Sequence, residues 1–521
     1  MGGLLAQASL FIFIMRTFFF LFFICSTLSA FSQKEDYTWV ISGGSNVLDT
    51  LYTITTVNFN SGQAIFSNTY NQYPAMQAPT NTNISDVNGN LVCYSNGTVI
   101  YNASFEVIEN GEDLHSQSSF PLGFTAVQGA VLFPFPNSIG KYLIISCTDI
   151  DFYHDGWLTP GCYPTTYTIV DMNENSGQGK VIEKNIPINF DTLLYGQYIG
   201  ILHGNGRDFW SIGAPTYDSN KYYKYLIDPT GVKLHSTQEV GMNINPGLGQ
   251  AAFSPNGEHI AYYQWFGIIG ISTSIEISFY DFDRCSGEMS NHTQIIYQNM
   301  GLPGGIAFSP NSRFVYTPSW DKIYQFDLWA ADIPASRITV AEYDGFLDER
   351  GLPTRFYQPK LAPDGKIYIT VSNVNSRYLH VIDQPDSLGT ACNVLQHHIQ
   401  MPTYHDKYMP NHPVTRLGKM VGSPCDSIVS SSVEVVPDLF KFELHPNPAA
   451  AFVEINCELP IGKSAMWQLF STTGQLAKQV ELTSRNKNLV SLEGLQNGLY
   501  VYKLISENKA VQHGKLIIAR P

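Results

Sequence analysis

Along most of the chain apolar and polar residues alternate in short runs, and each run stops at Gly, Pro, Asn or Asp. A period of two marks half-buried strands, and no segment sustains the 3.6-residue period of an amphipathic helix. Three stretches repeat one pattern: GQAAFSPNGEHIAYY at 249–263, GGIAFSPNSRFVYTPS at 304–319 and YQPKLAPDGKIYITVS at 357–372. Each reads as an apolar strand, a [SA]-P-[ND]-x turn and an alternating strand. Proline fixes φ at the first corner and Asn-Gly or Asp-Gly tolerates the left-handed one, so the turn is written locally. A further strand ending in Asp follows each copy: SFYDFD at 278–283, IYQFDL at 323–328 and LHVIDQ at 379–384.

Copies of a β-meander with a period near 50 residues predict propeller blades rather than a helical solenoid. Weaker copies lie upstream, at YTWVISGG (37–44), YTITTVNFNSGQAIF (52–66), ISDVNGNLVCYSNGTVIYN (84–102), KYLIISCTDIDF (141–152), TTYTIVDMN (165–173) and RDFWSIGAPTYDSNKYYKYLIDPTG (207–231). The span from 37 to 418 predicts seven blades, with six and eight as alternatives. A ring of sheets closes on itself and so hides its edge strands. Residues 402–418 are the candidate for the last piece of that closure, and the abundant aromatics are expected between blades.

The two ends read differently. Residues 17–31, TFFFLFFICSTLSAF, follow Arg16 and precede small residues, which predicts a cleaved signal peptide over 1–32 with a possible true start at Met15. The apolar run is too short to span a bilayer, and the mature chain is expected to have no transmembrane span. Residues 33–420 are assigned to the propeller. Residues 421–440 include the Ser-rich GSPCDSIVSSSVEVVPD and read as a linker. Residues 441–521 carry five to seven short strands, the pattern of a small immunoglobulin-like β-sandwich. The predicted fold is therefore all-β throughout.

Composition narrows the function. Of 521 residues 44% are hydrophobic and only 14% charged, so there is material for a large core and little for a charged surface. A net charge of −14 argues against nucleic acid as a partner. Seven cysteines follow Cys25; Cys147 and Cys162 flank a loop that suits a disulfide, and Cys285, Cys392 and Cys425 offer a second bridge.

Residues 441–521 resemble the type A C-terminal sorting domain of the type IX secretion system of Bacteroidetes. The resemblance rests on His445-Pro446-Asn447-Pro448, STTGQLAKQ at 471–479, LEGLQNGLYVYKL at 492–504 and GKLIIA at 514–519. It marks Pro446, Asn447, Pro448, Gly474, Gly498, Tyr500 and Lys515 as sorting-motif positions. It implies the type IX machinery as partner, a secreted or outer-surface location, and removal of the domain with release or attachment to surface lipopolysaccharide. Residues 37–425 resemble secreted Bacteroidetes propellers with WD40-like turns, through VNFNSGQAIF, HGNGRDFW, FSPNGEHIAYY, YDFDRCSGE and MPNHPVTRLGKMVGSPCD. These motifs are structural turns, and such a fold implies no particular activity.

Candidate chemistry is sparse. Asp149, Asp151 and Asp155 resemble a calcium loop, but no carboxylate fills its closing position and the loop glycine is misplaced, so no metal is expected. His397, His398, His405 and His412 cluster in sequence without a metal-ligand spacing. No G-x-S-x-G elbow and no phosphate loop is present, so neither a catalytic set nor a cofactor is expected. Asp49-Thr50-Leu51, Asp191-Thr192-Leu193 and Asp426-Ser427-Ile428 fit an Asp-Ser/Thr-apolar glycosylation pattern. The insertions 103–128, 150–164 and 264–276 are the expected channel-mouth loops. Tyr262, Tyr263, Trp265 and Phe266 form the candidate ligand loop, with a contact inside the propeller as the equal alternative. The expectation is a non-enzymatic binding module for a glycan or protein ligand. The alternatives are a secreted hydrolase or lyase with carboxylates in the channel, and a structural coat protein.

Overall fold

A computed structural model describes residues 33–427 and 442–520 apart from 43–49, 70–78, 115–122, 155–156, 214–218, 245–247, 269–271, 300, 302, 458–463, 472–475, 484–487 and 507–508. The signal peptide, most of the linker, Asp155 and Gly474 lie outside the described residues. The chain divides into two compact units, Met1–Ile428 and Val429–Pro521. Among the described residues there is no α-helix, only strands and 3-10 turns.

The first unit holds seven antiparallel sheets among its described residues, five of four strands and two of three. Chain neighbours pair in order, so each sheet is a meander. The first strands of the second to seventh sheets are Thr82–Ser85, Ala130–Pro134, Ile199–Leu202, Leu248–Phe253, Ala307–Phe308 and Phe356–Leu361. Buried clusters lie between consecutive sheets. Tyr94 and Tyr101 of the second sheet meet Val40 and Ile54 of the first. Tyr222, Tyr262 and Tyr280 share the interface of the fourth and fifth. The seventh sheet in turn packs Tyr368, Leu379 and Val381 against Trp39, Ile41, Val57 and Phe59 of the first. Every sheet therefore has a partner on both faces, and the ring closes. Each large aromatic or aliphatic side chain so buried contributes roughly 1.5–3 kcal/mol, which is why the aromatics collect there.

The repeated turns form as the sequence encodes them. Ser254 Oγ donates to Asn256 Oδ1 at 2.7 Å and accepts from the His259 amide at 2.9 Å. Ser309 makes the same two bonds with Asn311 and Phe314, at 2.7 and 2.9 Å. In the third copy Ala362 has no hydroxyl, and Asp364 alone caps the turn through the Lys366 amide at 3.2 Å. Gly257 and Gly365 take φ of +75° and +81°, the left-handed corner where a side chain is strained.

Residues 402–418 complete the ring from the inside. Residues 402–405 finish the last strand, Val394–His405, and the chain then turns onto the axis. Asn411 bridges Thr82 and Val414 bridges Ile201, both in parallel. The segment thus runs beside the first strands of several sheets instead of extending one. Two disulfides are present, Cys147–Cys162 and Cys285–Cys425, while Cys93 and Cys392 are buried thiols. The second bridge fastens the end of this segment to the fifth sheet.

The second unit pairs a three-stranded sheet (Phe442–His445, Phe452–Cys457, Asn488–Ser491) with a four-stranded one (Ser464–Ser471, Leu476–Thr483, Gly498–Ser506, Lys509–Ile518). Trp467, Leu469, Leu504 and Leu516 fill one core between them, which makes a β-sandwich.

Candidate functional site in the central channel

The first strands of the sheets surround an axial space, and the segment 411–416 occupies one side of it. A cavity of about 500 Å³ remains, lined by the fourth to seventh sheets, by this segment and by Asp36. One end is crossed by amides. Gln128 holds Ala251 at both backbone atoms, at 2.9 and 2.8 Å. Gln250 donates to the Pro359 carbonyl at 3.2 Å and accepts from the Ile306 amide at 3.0 Å. Asn411 donates to the carbonyls of Ala130 and Tyr198, each at 2.8 Å. These bonds satisfy strand ends that would otherwise be buried without partners. At the other end stand Pro255, Pro310 and Pro363, the corners of the three repeated turns.

The walls are part polar and part apolar, the latter with Ile199, Phe253, Ile306, Phe308 and Leu361. Charge collects near the turn end. The Arg416 guanidinium meets the Asp36 carboxylate at 3.1 Å. Behind that pair Glu35 accepts from the Thr415 hydroxyl at 2.9 Å, and burial raises its carboxyl above the usual range. The Lys360 ammonium lies 5.7 Å from the Trp39 ring centroid, and loss of hydration draws it down to about 8. Among the described residues it has no hydrogen bond or ion pair. The His412 ring stacks on Trp39 with centroids 6.4 Å apart. Burial holds this imidazole neutral, well below the ordinary histidine value, with Lys360 and Arg416 adding to the effect. Both His412 nitrogens and Trp39 Nε1 are buried without a hydrogen-bond partner among the described residues.

Most residues singled out in the sequence lie elsewhere. Tyr262 and Tyr263 are fully buried in the strand His259–Ile268, and Trp265 is 8% exposed. Tyr262 joins the core between the fourth and fifth sheets, Tyr263 and Trp265 that between the fifth and sixth. Tyr263 Oη accepts from the Gly304 amide and Trp265 Nε1 donates to the Gly301 carbonyl, so the ligand-loop reading of these side chains is corrected to inter-blade packing. Phe266 is half-buried on the same strand. Its alternation of tyrosines served two interfaces, one on each face of the sheet. Among the described residues of the three expected channel-mouth insertions, only Gln128 reaches the cavity.

Asp149 and Asp151 sit in the strand Lys141–His154, opposite Cys162 and Pro160, so the expected loop is a long hairpin. Among the described residues no three acidic, histidine or cysteine side chains gather as a metal site would need. The histidines disperse: His397 bonds Asp344 at 3.0 Å and stacks on Phe346, His398 is exposed, and buried His405 bonds the carbonyls of Asp406 and Tyr378. Of these four, only His412 reaches the cavity. Lys360 was not singled out, yet a signal existed. In the repeats it occupies the place of Ala252 and Ala307, and all three line the cavity.

In the second unit, Asn447 Nδ2 donates to the Lys515 carbonyl at 2.8 Å and its Oδ1 accepts from the Ile517 amide at 2.9 Å. The Pro446-Asn447-Pro448 turn is thereby bound to the last strand. Tyr500 donates to the Gln496 carbonyl at 3.1 Å, within the strand that Gly498 opens.

No curated protein matches the chain. Among solved structures it is similar to a functionally unknown protein from Desulfotomaculum acetoxidans, at 17% identity and a TM-score of 0.36, over 71% of this chain and 100% of that one. It is also similar to a puromycin hydrolase, at 9% identity and 0.36 over 91% of this chain, and to a Mycobacterium tuberculosis puromycin-hydrolyzing peptidase, at 12% and 0.32 over 94%. The chain spans 59% and 62% of the length of those two enzymes. At these values none of them bears on activity. Among the described residues no helix is long and apolar enough to cross a membrane. Residues 443–519 match the family of secretion system C-terminal sorting domains, and the chain is accordingly exported by type IX secretion to the cell surface or the extracellular space.

Proposed function

We propose that this exported propeller is a non-enzymatic binding module that takes its ligand, a group of a glycan or of a protein, into the channel cavity. The observation that carries the reading is the cavity itself: a chamber lined by four sheets, its walls part apolar and part polar, with Lys360, His412 and Arg416 among them. Small-molecule sites are concave, mostly apolar and marked by a few placed polar groups. Among the described residues its one lining carboxylate, Asp36, is engaged by Arg416, an arrangement that supports binding more than acid–base catalysis by paired carboxylates. Removal of the sorting domain, with release or attachment to surface lipopolysaccharide, belongs to the same proposal.

The test is a glycan and protein-partner binding screen on the exported chain, run beside a broad hydrolase and lyase panel. Saturable binding without turnover is expected. Turnover abolished by Asp36→Asn would replace this reading with the hydrolytic one. Loss of cell cohesion on deletion, with no soluble ligand found, would replace it with a coat role.

A further inference from the structure

We infer that the channel cavity binds a small organic carboxylate with an apolar body, its charge held by Lys360. The inference rests on the binding-module reading and names the ligand class for that site.

Three observations converge. Lys360 interrupts a repeat: the matching residues are Ala252 and Ala307, both also in the cavity wall, so packing alone is served there by a methyl group. An ammonium at such a place loses hydration and, among the described residues, gains the face of Trp39 and the attraction of Asp36 but no hydrogen bond or ion pair of its own. A half-buried, poorly hydrated cation of this kind is costly until an anion joins it. Next, Arg416 already pairs with Asp36, so the charged groups of the wall among the described residues, Asp36, Lys360 and Arg416, leave an excess of one positive charge. One unmatched charge suits a monoanion. A phosphate dianion calls for several cations or a nest of backbone amides. Last, His412 and Trp39 Nε1 are buried polar groups without partners beside Lys360, while Phe253 and Phe308 offer apolar surface.

Calorimetric titration of the exported full chain tests this with octanoate and 3-phenylpropanoate, against octanamide and inorganic phosphate. The carboxylates are expected to bind at least tenfold more tightly than the amide or phosphate. Lys360→Met should weaken them at least tenfold while the unfolding temperature holds or rises, and His412→Phe should weaken them less. Equal binding of octanoate and octanamide, or full affinity in Lys360→Met, would overturn the carboxylate assignment. If carboxylates fail but a neutral glycan binds and is blocked by Ala252→Leu, the ligand class is wrong and the channel reading stands. If Ala252→Leu blocks no ligand of any kind, both are wrong.

Discussion

Arg416 and Asp36, 380 positions apart, meet at 3.1 Å beside the channel cavity. The residues on either side reinforce the joint: Thr415 donates to Glu35, and the Leu417 amide donates to Gln33 Oε1 at 3.0 Å. The beginning and end of the propeller chain are thus held together on the inner side of the first sheet. Because Arg416 is about one-third exposed, the pair itself is worth about 1 kcal/mol at most. Arg416→Gln and Asp36→Asn should each lower the denaturant midpoint by that order. The double variant should cost no more than the larger single one, and additive losses would show that the two act independently.

Cys285–Cys425 is the stronger fastening. It ties the segment leaving the channel to the fifth sheet across 140 residues of sequence. Disulfides closing long loops stabilise by about 2–4 kcal/mol, mostly through the unfolded chain. Cys285→Ser should lower stability by that amount and make residues 418–427 cleavable by added protease under native conditions. Unchanged protection of that segment would mean the other contacts hold it alone.

Buried histidines set an acid limit on stability. Burial lowers His380 to about 3, and it lowers His405 and His412 as well. In the unfolded chain these rings titrate near 6.5. Their contribution is therefore intact above 6.5 and is lost as pH falls toward the folded values, by up to about 1.4 kcal/mol per pH unit for each ring. Glu35, Asp364 and Asp406 have raised values and act in the opposite sense lower in the range, where carboxylates protonate. Unfolding free energy measured from pH 7 to 5 should fall steadily, and His380→Phe should flatten the slope. An identical slope in that variant would contradict the assignment.

Asn447 binds the start of the sorting domain to its last strand through two hydrogen bonds. Asn447→Ala should destabilise the sandwich by about 1–2 kcal/mol and shift part of the protein from the exterior to the cell fraction. Deletion of 443–519 should abolish export, as blotting of the culture fractions would register.

The sheets were legible because their information is local: Ser254-Pro255-Asn256-Gly257 builds its own turn and the flanking alternation builds its own strands. Inter-blade aromatics were legible as a class but not singly. Tyr262 and Tyr263 looked like a ligand surface, since a strand buried on both faces has no polar side to expose its role. The channel segment was harder still. Asn411-His412-Pro413-Val414 has no periodicity, and its partners, Thr82, Ala130, Tyr198 and Ile201, lie more than 200 positions away. Lys360 stood in plain view inside a repeat, but its meaning depends on ring closure, which places that strand face on the axis.

The central claim is that ligand enters the propeller's channel. A crystal structure of the exported chain grown with the tightest ligand from the binding screen tests it most directly. Ligand density between Lys360, His412 and Phe308 is the result expected. Density on the outer hairpins, with the channel wall unchanged, would contradict it.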